Sequence, residues 1–277
     1  MNKTYFDWKL SSGERIHSVI ATPTEAAKRV IILVHGIGEH FGRYDHWIDK
    51  FLNDQTAVIA SDQLGHGRSE GRRGVVPSFD IFYEIINKGI TTATLHFPGK
   101  PIFLYGHSMG GLEVLSYCMR KKPEINGVVA TAPSLKLINV PEAQIRIVKV
   151  LKRFIPGTTI KNGLALNGLS KIPNVADDYR RDKLVHNRSS LKLALSIYEE
   201  GVWTREHASD LGTPAFIAFG SKDILVDPVG AREFIQNGGG NIQSKEYPEG
   251  YHELHNDLEA DDLFRTLTNW FNKVENA

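Results

Sequence analysis

Sulfur chemistry is nearly absent from this chain: among 277 residues there is one cysteine, Cys118. That excludes an internal disulfide framework and fits a reducing compartment. Its place on the helix that follows GHSMGG marks it as a small buried residue. Charge of one sign is lacking too, with 33 Lys and Arg against 32 Asp and Glu for a net +1. Such a balance gives no case for nucleic acid as a partner. No apolar run approaches the roughly 18 residues a membrane span needs. The opening MNKTYFDWKL also lacks the apolar core of a signal peptide, so a soluble, cytoplasmic protein is expected. There is no internal repeat and no low-complexity tract.

Metal and dinucleotide signatures are missing as well. The stretch HELH at 252–255 falls one residue short of H-E-x-x-H, and no Cys/His cluster has ligand spacing. GIGEHFGR misses G-x-G-x-x-G by one position and lacks an acidic residue at the end of a second strand. No metal and no cofactor are expected.

What is present is ordinary globular composition, 41% hydrophobic and 23% charged, in a chain long enough for one large domain or one domain with an insertion. Short apolar runs (RVIILVHG, AVIASD, PIFLYG, GVVATAP, PAFIAFG and the more polar NIQSKEYP) alternate with helix-like segments. That alternation predicts an α/β protein with a mainly parallel sheet. Residues 3–20, two β-like runs about a Ser-Ser-Gly turn, predict an opening antiparallel hairpin. The rhythm breaks between Pro133 and His207. The expected organisation is a core of 1–132 and 208–277 with a helical cap at 133–207, folded over the C-terminal edge of the sheet where ligands bind.

The chemistry starts at YGHSMGG, residues 105–111. A strand-like KPIFLY precedes it, and GLEVLSYCMRKK follows with Leu112, Leu115 and Met119 at helical spacing. A serine held at so tight a strand-to-helix turn is a nucleophile elbow, G-x-S-x-G, made here of Gly106, Ser108 and Gly110. Serine needs a base, and the base an orienting acid, in the chain order Ser, acid, His. Asp223 in FGSKDILVD and His252 in EGYHELHND stand at strand ends in that order. Asp227 competes as the acid, but Pro228 after it suits a helix cap, and His255 competes as the base. For the oxyanion, one donor is the backbone N–H of Met109. The other is expected from the loop after an early strand, His35-Gly36-Ile37-Gly38, with the N–H of Ile37 as candidate.

Four blocks, HGIGEHFGRY (35–44), SDQLGHGRSEG (61–71), GHSMGG (106–111) and the pair GSKDILVDP (220–228) with YPEGYHELHND (247–257), together resemble the monoacylglycerol lipase family of α/β-hydrolases. The resemblance implies the α/β-hydrolase fold, Ser108, Asp223 and His252 as triad, and Ile37 and Met109 as oxyanion hole. It further implies that Glu39, Arg43 and His255 line the polar end of the site, near the glycerol portion of a lipid ester. ADDYRRDKLVH is similar to the family stretch whose tyrosine faces the alcohol, which points to Tyr179. Without the resemblance, Glu39 and Arg43 read as a surface ion pair, and His66 as a brace for its loop. In the cap, residues 142–155 carry Ile147, Val148, Val150, Leu151, Phe154 and Ile155 on one face and Arg146, Lys149, Lys152 and Arg153 on the other. Such a helix either lies on a membrane surface or roofs an acyl pocket. The expected activity is hydrolysis of carboxylic esters, foremost monoacylglycerols, with lysophospholipase or short-chain esterase activity as the alternative.

Overall fold

The computed structural model describes residues 1–138 and 140–277. Position 139, inside the expected cap, lies outside the described residues. Ten strands are described: β1 (Asn2–Lys9), β2 (Arg15–Thr22), β3 (Arg29–Val34), β4 (Thr56–Ser61), β5 (Ile102–His107), β6 (Gly127–Thr131), β7 (Thr159–Lys161), β8 (Arg188–Ser190), β9 (Ala215–Gly220) and β10 (Ile242–Tyr247). The helices are α1 (Asp45–Asn53), α2 (Asp80–His96), α3 (Met109–Lys121), α4 (Glu142–Leu151), α5 (Pro173–Arg181), α6 (Leu191–Glu206), α7 (Pro228–Asn237) and α8 (Ala260–Glu275).

Eight strands form one sheet in the order β1-β2-β4-β3-β5-β6-β9-β10. The opening hairpin β1–β2 is antiparallel and joins β4 antiparallel, and every pair from β4 to β10 is parallel. The five central strands β3, β4, β5, β6 and β9 are buried at every position. Their sequences are therefore continuous apolar runs and not alternating ones, as parallel strands covered on both faces must be. One face packs against α2, α3 and α7 through side chains such as Phe82, Leu115 and Phe234. The other packs against α1 and α8 through Trp47, Phe51, Leu267 and Phe271.

Helix α2 is not foreshadowed by the sequence reading. Its sequence, DIFYEIINKGITTATLH, is rich in β-branched residues and contains Gly89, all poor in helical propensity. Packing outweighs propensity here. A Cβ at Gly89 would stand 2.8 Å from a methyl of Ile32, so the glycine lets the helix lie close on β3.

Between β6 and β9 the chain forms α4, the two-stranded antiparallel sheet β7–β8, α5 and α6. Leu193 and Ile197 of α6 join the same apolar cluster as α3, so the end of this segment is continuous with the core. Parallel register aligns Val34 with Gly106 and His107 with Thr131. The ends of β3, β5 and β6 therefore meet at one edge, where Ser108 lies.

Candidate active site

Ser108 sits between the end of β5 and the start of α3 with φ 55° and ψ −116°. A non-glycine residue in that region stores strain on the order of 1–3 kcal/mol, which the surroundings must hold. They do so by backbone: Ser108 N–H donates to Thr131 O at 2.9 Å, and its own carbonyl accepts from Ser134 N–H at 2.9 Å. The neighbouring glycines answer to close approach. A Cβ at Gly106 would lie 2.2 Å from the Gly110 carbonyl oxygen, and one at Gly110 would lie 2.3 Å from that of Val34. Neither position has room for a side chain while strand and helix cross at this distance.

His252 Nε2 stands 2.9 Å from Ser108 Oγ, and its Nδ1 stands 2.6 Å from Asp223 Oδ2. The other carboxylate oxygen, Asp223 Oδ1, accepts from the N–H groups of Leu225 at 2.8 Å and Val226 at 3.0 Å. All three side chains are buried. Burial alone would push the His252 imidazole down, but the charge and hydrogen bond of Asp223, helped by Glu253 and Glu39, hold it above its ordinary value. Asp227 instead accepts from Val229 N–H at 3.0 Å and caps α7 with Pro228 in the first position. Of the two candidate acids, Asp223 is the one in contact with His252. His66 is buried, its Nδ1 3.0 Å from the Leu64 carbonyl within its own loop.

The backbone of 36–38 arrives beside the serine, and Ile37 and Met109 line one cavity with Ser108 and His252. That loop is held from two sides. Gly36 N–H donates to Glu39 Oε1 at 2.7 Å. The Gly38 carbonyl accepts from His186 N–H at 2.8 Å and from the Tyr179 hydroxyl at 3.2 Å, both from the segment between β6 and β9.

Glu39 and Arg43 do not form a surface pair. Glu39 is 3% exposed, and Arg43 Nη1 meets its carboxylate at 2.6 Å. Arg43 also binds Glu253 in bidentate fashion, at 2.6 and 2.8 Å, and lies over the Tyr179 ring at 4.7 Å. Burial opposes the charge on both Arg43 and Glu253, yet their mutual attraction wins: the guanidinium is raised and the Glu253 carboxyl lowered. Two carboxylates thus share one guanidinium beside Ser108. With Tyr179, Leu164 and Leu169 they bound a cavity of 20 Å³, room for about one water.

Two expectations need correction. His255 does not line this polar end. It is 1% exposed and stacks on Tyr44 at 4.6 Å, and burial, outweighing the nearby Glu253, lowers its imidazole to about 3. A neutral, packed ring behind the wall is the result. Residues 142–155 do not roof the acyl side either. The 150 Å³ cavity on that side of Ser108 is lined by Ile37, Leu137, Leu164, Ile197, Leu225 and Val226 among others, with none from α4. Ile147, Val150 and Phe154 instead point to solvent, 59%, 56% and 78% exposed, because only Ile145 of that helix is buried.

Two site residues escaped sequence reasoning. Glu253 follows His252 directly, and an acid adjoining the base at a strand end was the available signal. Ser134, whose Oγ lies 3.3 Å from Ser108 Oγ, had none, since only the register of β5 on β6 brings it there.

The chain is 30% identical over 261 residues to the monoacylglycerol lipase of Mycolicibacterium smegmatis, covering 93% of each protein. It is 31% identical to an uncharacterized abhydrolase domain-containing protein of Dictyostelium discoideum over 92% of this chain, which spans only 28% of that relative's length. The crystal structure of Paleococcus ferrophilus monoacylglycerol lipase superposes with a TM-score of 0.86 at 32% identity, covering 94% of this chain and 99% of that one. The sequence profile described as Serine aminopeptidase, S33 matches residues 25–259, and the chain belongs to that hydrolase family.

Proposed function

We propose that this protein is a serine hydrolase of carboxylic esters whose preferred substrates are monoacylglycerols, released as fatty acid and glycerol. The observation that carries the reading is the line of hydrogen bonds from Asp223 through His252 to Ser108, set between a mainly apolar cavity and a buried carboxylate–guanidinium cluster. His252 takes the Ser108 proton as Oγ attacks the acyl carbonyl, and the N–H groups of Ile37 and Met109 receive the oxyanion. The imidazolium returns that proton to the leaving alkoxide. Water, deprotonated by the same histidine, then cleaves the acyl-enzyme. The segment 133–207 acts as the cap over this edge.

The alcohol side favours a neutral polyol. Glu39, Glu253 and Arg43 leave one uncompensated carboxylate next to the leaving group, which repels a phosphate and accepts hydroxyl donors. A 20 Å³ space does not admit glycerol, so Tyr179 and Leu164 must move aside as the substrate enters.

On the acyl side, 150 Å³ matches the cavity of about 150 Å³ that accepts benzene. A second cavity of 190 Å³, as the described residues bound it, shares Ser134, Leu137 and Ile197 and continues the path. Each methylene buried contributes about 0.8 kcal/mol, nearly fourfold in kcat/KM. A panel of mono-, di- and triacylglycerols, lysophospholipids and nitrophenyl esters, measured below the critical micelle concentration, tests the assignment. Monoacylglycerols should lead, with kcat/KM rising along the chain until the path is full, and lysophospholipids should be slow. Ile197→Trp, at the junction of the two cavities, should erase the gain for long chains and spare a two-carbon ester. Triacylglycerols outpacing monoacylglycerols would sink the substrate assignment.

The exposed apolar residues of α4 and of the turn after it, Phe154 included, flanked by Arg146, Lys149, Lys152 and Arg153, make peripheral contact with a lipid surface in this reading. No helix among the described residues is long and apolar enough to cross a membrane. Phe154→Asp should weaken sedimentation with phosphatidylglycerol-containing vesicles by about tenfold or more, with monomeric ester turnover unchanged. Equal binding by both proteins would remove Phe154 from the contact.

A further inference from the structure

The turn that follows β6 is strained and tightly held. Ala132, 2% exposed, has φ 43°, in the left-handed region that a residue with a Cβ avoids. Its N–H donates to the Ala218 carbonyl at 2.7 Å, and the Ser134 N–H donates to the Ser108 carbonyl at 2.9 Å. Glycines let two helices close on this turn. A Cβ at Gly111 of α3 would stand 3.1 Å from Pro133 Cα, and one at Gly201 of α6 would stand 2.7 Å from the Leu135 carbonyl oxygen. Strain held in this way beside a reacting group serves what the strained segment presents. Here that is the Ser134 hydroxyl, 3.3 Å from Ser108 Oγ.

The direction of that contact follows from the triad. Asp223 Oδ2 accepts from His252 Nδ1 at 2.6 Å, so the neutral imidazole carries its proton there and its bare Nε2 accepts from the Ser108 hydroxyl at 2.9 Å. A hydroxyl has one proton to give. Ser108 Oγ therefore offers only lone pairs to Ser134, and Ser134 is the donor. Among the described residues Ser108 is the one partner of the Ser134 hydroxyl, which is buried. At 3.3 Å the bond is longer than the usual spacing of about 2.7–2.8 Å, so it is weak while Ser108 Oγ is neutral. Charge on the acceptor changes that: O–H···O⁻ bonds close to about 2.5–2.7 Å and are about twice as strong.

We propose that Ser134 is a catalytic residue of ester hydrolysis: its hydroxyl donates to Ser108 Oγ as charge develops there, on attack and again on departure. The inference rests on the nucleophilic role given to Ser108 under the proposed function. In acylation the Ser108 proton passes to His252 while the Oγ–C bond forms. In deacylation water adds and gives its proton to His252. The C–Oγ bond then breaks, its electron pair returns to Oγ, and Oγ takes the proton from His252. Ser134 keeps its own proton throughout. A donor that binds the charged oxygen better than the neutral one lowers both barriers and adds nothing to substrate affinity. Ser134 lines the acyl cavity and not the alcohol-side one, so it reaches Oγ without standing in the path of the leaving alcohol or of water.

The test uses nitrophenyl acetate. With enzyme in excess, release of nitrophenolate reads acylation; with substrate in excess, the steady rate reads deacylation. Ser134→Ala should lower both about tenfold, the value of one hydrogen bond to a charged oxygen, with KM within about a factor of two because both steps fall together. Ser134→Thr keeps the hydroxyl and should restore both rates to within about a factor of three of wild type. Undiminished rates in Ser134→Ala, a loss confined to one of the two steps, or a Ser134→Thr variant as slow as Ser134→Ala would each overturn the proposal. If Ser134→Thr does not fold, the two rates of Ser134→Ala decide it. Failure of the hydrolase reading itself shows elsewhere, as turnover near wild type in Ser108→Ala.

Discussion

Ser108→Ala is expected to lower kcat on a nitrophenyl ester by about 10⁶, with His252→Ala close behind, because nucleophile and base act as one unit. What survives should be the small rate enhancement of oxyanion donors and binding alone. The fold should tolerate the change. Alanine at φ 55° is strained no more than serine, and the backbone bonds from Thr131 and Ser134 that hold the turn involve no side-chain atom of residue 108. A thermal melt within a few degrees of wild type therefore accompanies the loss. One neighbour complicates the residual rate: Ser134 Oγ lies 3.3 Å from Ser108 Oγ and is the nearest substitute hydroxyl. If Ser108→Ala keeps measurable turnover that vanishes in the double variant with Ser134→Ala, the remainder belongs to Ser134. A single variant that retains kcat near wild type would remove Ser108 from the chemistry.

Local features of this site were legible in the sequence, and non-local ones were not. The elbow occupies five residues whose glycines are dictated by a crossing so close that an added Cβ would stand 2.2–2.3 Å from a carbonyl oxygen, so the constraint is written where it acts. The central strands were legible because burial on both faces leaves only apolar residues. Asp223 could be separated from Asp227 because Pro228 marks a helix start. By contrast, β7 and β8 are three residues each and pair across some 30 residues of chain, so nothing local announces them. Periodicity described an apolar face over 142–155 but neither where the helix ends, at Leu151 and short of Phe154 and Ile155, nor which way the face points, since orientation is set by the partner a helix finds. His255 shows the same limit. Its spacing from His252 suits a site residue, yet the turn at Leu254–Asn256 carries its ring back onto Tyr44 and leaves Glu253 facing Arg43.

Asp223→Asn is the second large effect, about 10⁴ in kcat, and its cause is a misdirected proton. Oδ1 of Asp223 accepts two backbone N–H groups, from Leu225 and Val226. An asparagine must keep its carbonyl oxygen there, which turns its NH₂ toward His252 Nδ1. Two donors cannot face each other, so the imidazole proton moves to Nε2. That nitrogen then presents N–H to Ser108 and cannot take its proton. The variant should also move the pH profile. In wild type Asp223 holds the imidazole above its ordinary 6.5, so kcat/KM should rise with pH through a limb lying above that value. Without the carboxylate the limb should shift toward acid. Stability follows with a defined sign: a raised imidazole stabilises the fold fully below its unfolded value near 6.5 and loses that contribution as pH rises through the folded one. Wild type should therefore exceed Asp223→Asn in melting temperature by more at pH 6 than at pH 9. Asp227→Asn is the control, since asparagine caps a helix as well as aspartate does, and it should retain nearly full activity. A crippled Asp227→Asn beside an active Asp223→Asn, or an acid limb that does not move, would reassign the acid.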